Sequence, residues 1–165
     1  VVKEKKMRKL VKRLAVFVLA AVMLAAMPAC SSASEAEYTQ KVEEVVTRLS
    51  EASSAFYSDV ETLFRDLTDE NRTKVMGDLD EMEAVFKEIA ALEAPKKYEE
   101  VQNCLSQSAD SALKGIAVYR TELGAVTADT VDDAFLERVA EGDGYLQDAQ
   151  DKMMEAAKLV GSLDS

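Results

Sequence analysis

The stretch "YTQKVEEVVTRLSEASSAFYSDVETLFRDL", residues 38–67, decides the fold. Its apolar side chains fall at Tyr38, Val42, Val45, Leu49, Ala52, Phe56, Val60, Leu63 and Leu67, always three or four residues apart. An α-helix turns once every 3.6 residues, so these positions form one stripe along one face of a helix. Acidic, basic and hydroxyl residues occupy the other faces. Such a helix cannot bury its stripe alone and needs partners.

The partners follow in the chain. Thr68-Asp69 reads as an N-cap that breaks the first helix and starts a second. The second stripe is Val75, Leu79, Met82, Phe86, Ile89 and Leu92, ending before Pro95, a residue suited to the first turn of the next helix. The third stripe carries Tyr98, Val101, Leu105, Ala109, Ala112, Ile116, Tyr119 and Leu123, with Gly124 expected as its C-terminal cap. After a linker at 125–129, Thr130 with Asp133 resembles a capping box in which aspartate replaces glutamate. The last stripe is Phe135, Val139, Leu146, Ala149, Met153, Ala156 and Val160. No stretch alternates apolar and polar residues as a half-buried strand would.

Short connections favour antiparallel neighbours. The expected class is therefore all-α: an antiparallel up-down-up-down bundle of about four helices, following an N-terminal signal helix. A three-helix bundle whose first helix extends beyond it is the alternative. Gly142 and Gly144 within "EGDGY" weaken the fourth helix by about 1 kcal/mol each relative to alanine. Gly142 lies on the inward stripe, which predicts a kink or a close helix contact. A calcium loop there would need alternating acidic ligands, which Glu141, Asp143 and Asp148 do not supply.

Charge divides the chain. The whole sequence has 20 cations and 31 acids. Seven of the cations (Lys3, Lys5, Lys6, Arg8, Lys9, Lys12 and Arg13) and one acid, Glu4, precede residue 30, which leaves 13 cations and 30 acids beyond it. A body this acidic repels phosphates, so nucleic acid is not an expected partner. From Leu14 to Ala29 run 16 uncharged residues, short of the roughly 20 that span a bilayer. A basic segment, a short apolar segment and small residues before a cut site describe an export signal. Either Val1 or Met7 of "MRKLVKR" would serve as its start.

Met27-Pro28-Ala29-Cys30 resembles the lipobox of bacterial lipoproteins: an aliphatic residue, two small residues, then cysteine. Met27 and Pro28 depart from the commonest leucine and small residue. The resemblance implies that Cys30 sulfur receives a diacylglyceryl group and that cleavage makes Cys30 the new N-terminus. An ordinary secretory signal, or an uncleaved anchor, with an incidental cysteine is the alternative. On the lipobox reading residues 1–29 are the signal peptide, 30–36 a polar tether and 37–163 the acidic bundle. The protein would then sit on the extracytoplasmic face of the cell membrane, held by acyl chains. "APKKYEEVQNCL", residues 94–105, is also similar to the proline-then-aromatic helix start of uncharacterised helical lipoproteins of Gram-positive bacteria. The histidine often found there, near Gln102 and Asn103, is missing.

Little chemistry is visible. The chain has no histidine, which removes Ser-His-Asp and Cys-His arrangements, most zinc sites and the Glu-x-x-His di-iron motif. No phosphate-binding glycine motif occurs. Glu43, Glu44, Asp78, Asp80, Glu81, Asp132 and Asp133 read as solvated faces, and Met82 and Met153 as core fillers rather than copper ligands. Cys104, between Val101 and Leu105, reads as a buried thiol, and an acylated Cys30 would leave it no disulfide partner. The expectation is a non-catalytic lipoprotein without catalytic, metal or cofactor residues. Its one site residue is Cys30, and its partners are the membrane and an envelope protein or polymer. A solute-capture lipoprotein serving a transporter is the alternative, and an envelope enzyme a third.

Overall fold

In a computed structural model the described residues are 33–163. They form four α-helices: α1 (Ala33–Arg65), α2 (Asp69–Ala91), α3 (Glu99–Gly124) and α4 (Asp133–Leu163). No strand occurs among the described residues. The protein is an all-α bundle.

The stripes become the core. On α1, Tyr38, Val42, Val45, Leu49, Ala52, Phe56, Val60 and Leu63 are all buried, and Phe64 joins them. Phe86, Ile89, Leu105, Ile116, Phe135, Val139 and Met153 supply the other helices' share. At roughly 2 kcal/mol per large apolar side chain removed from water, this core dominates the folding energy.

Cross-helix partners set the direction of each helix. Arg48 on α1 reaches Glu88 at 2.6 Å and Glu81 at 3.1 Å on α2. Arg120 on α3 holds Asp80 and Glu83 of α2. Ser108 on α3 donates to the Ala149 carbonyl of α4 at 2.7 Å, and Arg138 of α4 bonds Glu122 of α3 at 2.9 Å. Early α3 (Ser108) meets late α4, and late α3 (Glu122) meets early α4. The same reversal relates α1 to α2 (Arg48 with Glu88, Asp59 with Asp78) and α2 to α3 (Ile89 with Gln102, Asp80 with Arg120), so sequential helices run antiparallel. Phe64 meets Phe135 edge-on at 6.3 Å, bringing the end of α1 to the start of α4. Across the diagonal, Tyr38 packs on Tyr98 at 5.4 Å and Phe56 on Tyr119 at 5.7 Å. One pole of the bundle thus holds the start of α1, the α2–α3 connection and the end of α4. The other holds the remaining two connections.

The connections follow side-chain chemistry, with three departures from expectation. Thr68 caps α2 as expected, its Oγ1 accepting from Asn71 N at 3.3 Å. The buried Asn71 then donates to the Asp66 carbonyl at 2.8 Å and closes the corner. Pro95 does not enter the first turn of α3. It precedes a 3-10 turn, Lys96–Tyr98, whose Tyr98 N donates to the Pro95 carbonyl at 2.7 Å. Gly124 does not cap α3 in the left-handed region, since no described glycine has positive φ. Instead Val126 plugs into the core and its carbonyl accepts from Arg72 Nη2 at 2.8 Å, so no reversal is needed. Asp132, not Thr130, caps α4: its Oδ1 accepts from Phe135 N at 2.7 Å. Thr130 closes its own turn on Thr127 N at 2.8 Å.

Helices α3 and α4 approach most closely, where small residues face each other. A Cβ on Gly115 would lie 3.1 Å from the Gly142 carbonyl oxygen and 3.0 Å from Leu146 Cδ2. A Cβ on Gly142 would lie 3.2 Å from Val118 Cγ1. Of the two readings of Gly142, close helix contact is the one observed.

Candidate functional site

Cys30, the one site residue expected from sequence, lies outside the described residues, as do the signal segment 1–29 and the start of the tether. Helix α1 begins at Ala33, so residues 33–36 of the expected tether are helical. Alanine and glutamate are good helix formers, and Glu35 in the first turn complements the helix dipole. Two residues, Ser31 and Ser32, separate Cys30 from the bundle, a reach of at most about 10 Å over the three steps from Cys30 to Ala33.

At this pole a groove of about 530 Å³ runs between the first turns of α1 and the α2–α3 connection. Ser34, Glu37, Tyr38 and Lys41 form one wall, and the run from Ala91 to Pro95, which includes the acid Glu93, the other. Lys41 bonds Glu37 at 2.7 Å, which holds the Glu37 carboxyl below the usual range and Lys41 above it. Lys97 stands 5.4 Å from the Tyr98 ring centroid and 3.9 Å from Glu35. Beneath the groove, Tyr38 hydroxyl donates to Gln102 Oε1 at 2.9 Å, and Gln102 Nε2 donates to the Ile89 carbonyl at 2.8 Å. Burial pushes the Tyr38 phenol well above its ordinary range. This floor ties α1, α2 and α3 together by one buried glutamine.

As a core residue Gln102 is easily missed in the sequence, because the stripe is marked by apolar side chains. Its signal was present: it stands four residues after Tyr98 and three before Leu105, in phase with the stripe. Deeper in the bundle, the Tyr119 hydroxyl donates to Asp143 on α4, and burial followed by the Asp143 charge raises the phenol. This bond ties α3 to α4 through Tyr119 and Asp143.

The carboxylates read as solvated faces divide. Glu43, Glu44, Asp80, Glu81, Asp132 and Asp133 are exposed. Asp78 is half-buried against Asp59 of α1, and burial, followed by the Asp59 charge, raises its carboxyl to about 6. Two like charges on facing helices were not legible from either helix alone. Met82 and Met153 are buried in the core. Cys104 is buried as well, and its thiol is pushed up by burial and then by the Glu155 charge. Among the described residues no group of three or more Cys, Asp or Glu could hold a metal ion. No described helix is long and apolar enough to cross a membrane.

The family described as domain of unknown function DUF7018 matches residues 32–150. The chain belongs to that family. The match takes in α1, α2, α3 and more than half of α4, and leaves the signal-like segment and Cys30 outside. No curated protein and no solved structure matches the chain.

Proposed function

We propose that the protein is an extracytoplasmic lipoprotein, anchored in the cell membrane through acyl chains on Cys30. Its bundle serves as a non-catalytic module for structure or for binding an envelope protein or polymer. The observation that carries this is a juxtaposition. A basic segment and a 16-residue apolar run end on Cys30, and a folded helix starts three residues later. The family match also begins after Cys30, which supports a boundary between leader and domain there. The non-catalytic part rests on the interior. It is filled mainly by apolar side chains, and six of the seven singled-out carboxylates face solvent.

Anchoring would supply about 0.8 kcal/mol per buried CH₂, and two or more chains make attachment stable. The test replaces Cys30 with alanine and follows detergent-phase partition and precursor size. Loss of the protein from the detergent phase, with accumulation of the uncleaved precursor, is expected. A variant that stays membrane-bound at unchanged size would refute acylation at Cys30.

A further inference from the structure

Three features converge on the pole that carries the start of α1. The first is distance: only Ser31 and Ser32 stand between Cys30 and Ala33, which holds this pole within about 10 Å of an anchor on Cys30. The second is charge. The connection at this pole, "LEAPKKY" (residues 92–98), has two lysines against one acid, Glu93; Lys97 stands 3.9 Å from Glu35, and exposed Glu99 and Glu100 follow on α3. The connections at the other pole contain Asp66, and Asp129 with Asp132, and no cation. The third is apolar exposure. Leu163, at the end of α4 on this pole, is the one exposed large hydrophobe among the described residues, at 37%. Leu92, Ala94 and Pro95 are half-exposed along the groove wall.

An acidic bundle is repelled by the anionic lipids of a membrane surface. Only a part that offers cations and apolar atoms together gains by touching that surface. Lys96 and Lys97, exposed on the 3-10 turn beside half-exposed Leu92, Ala94 and Pro95, form such a part. We propose that the 92–98 connection, with the groove beside it, rests on the anionic headgroups of the bilayer that holds the anchor. The bundle then stands on this pole, and α1, at 33 residues, carries the opposite pole about 50 Å from the surface. This rests on lipidation at Cys30 and adds an orientation to it. Charge selects the pole: each lysine gains about fivefold in favour of contact near an anionic surface, and the acidic connections lose by the same rule.

The chain has no tryptophan, so a single introduced one reports without background. The full lipidated protein carrying Ala94→Trp, and separately Ala128→Trp at the opposite pole, is purified from membranes. Each is reconstituted into vesicles of phosphatidylcholine and phosphatidylglycerol containing brominated phospholipid. The expected result is at least about twofold quenching of the tryptophan at 94 and little at 128. Lys96→Glu with Lys97→Glu, or high salt, should lower the docked-to-free ratio by tenfold or more. Leu92→Trp repeats the test should the change at 94 disturb folding. Protein that floats with the vesicles while both tryptophans stay unquenched overturns the orientation and leaves anchoring intact. Protein that does not float overturns the anchor, and the orientation with it. Equal quenching at both poles, or quenching at 94 that survives charge reversal, also overturns the proposal. So does a blue shift at 94 that grows with protein density without bromolipid quenching, since a second copy would then cover the groove.

Discussion

Gly115→Ala and Gly144→Ala make the same chemical change one helix apart and should have opposite effects. Both residues lie inside helices with ordinary negative φ, so each substitution gains about 0.5–1 kcal/mol of helix propensity. At Gly144 nothing lies within 4 Å of the new methyl, and the gain stands alone. At Gly115 the methyl meets Leu146 Cδ2 at 3.0 Å and the Gly142 carbonyl oxygen at 3.1 Å. Leucine can rotate, but a helix carbonyl cannot move without its helix. Relieving the overlap requires α3 and α4 to separate by a few tenths of an ångström along their closest seam, an overpacking cost of about 1–3 kcal/mol. Net, Gly144→Ala should stabilise by about 0.7 kcal/mol and Gly115→Ala destabilise by about 1–2 kcal/mol. The difference of about 2 kcal/mol amounts to several degrees in Tm for a domain of this size. Urea unfolding followed by circular dichroism at constant m measures both. If Gly115→Ala stabilises as much as Gly144→Ala, the helices are not as close as described and the reasoning fails.

Three further outcomes follow from the interior and its edges. Asp78, raised to about 6 from 3.8, holds its proton more tightly folded than unfolded. Its ionisation therefore opposes folding, and stability should rise as pH falls from above 6 towards 4. Asp78→Asn should flatten that rise, read as the urea midpoint at several pH values. Tyr38→Phe leaves Gln102 Oε1 buried without its donor and should cost about 1–3 kcal/mol. Tyr38→Phe with Gln102→Leu should cost less than the sum of the single changes, as a double-mutant cycle would show. Cys104, buried with a raised thiol, should react with a thiol reagent only on unfolding, so its labelling rate should track denaturant.

Helix number and the Thr68 corner were legible because they depend on local facts: a 3.6-residue period and a hydroxyl three residues before a free N–H. The bounds of the other elements were less so. Thr130 and Asp132 are both good caps, and the buried Phe135 decides between them by fixing where the last helix must enter the core. Gly124 fits a cap by sequence, but buried Val126, whose carbonyl accepts from Arg72 of α2, fixes the course of the chain there. The polarity of residues 30–36 did not show that α1 reaches back to Ala33, which the helix-forming Ala33, Glu35 and Ala36 allow.

By itself the sequence determined the helical periodicity, the acidity of the body, the absence of histidine and the spacing of Cys30 behind an apolar run. Each is a property of residues near one another in the chain. Tertiary structure alone decided that Gly115 faces Gly142, that Asp78 faces Asp59, and that Gln102 joins three helices. These pairings are set by the register between helices far apart in sequence, which the summed packing of the core selects and no single stripe encodes.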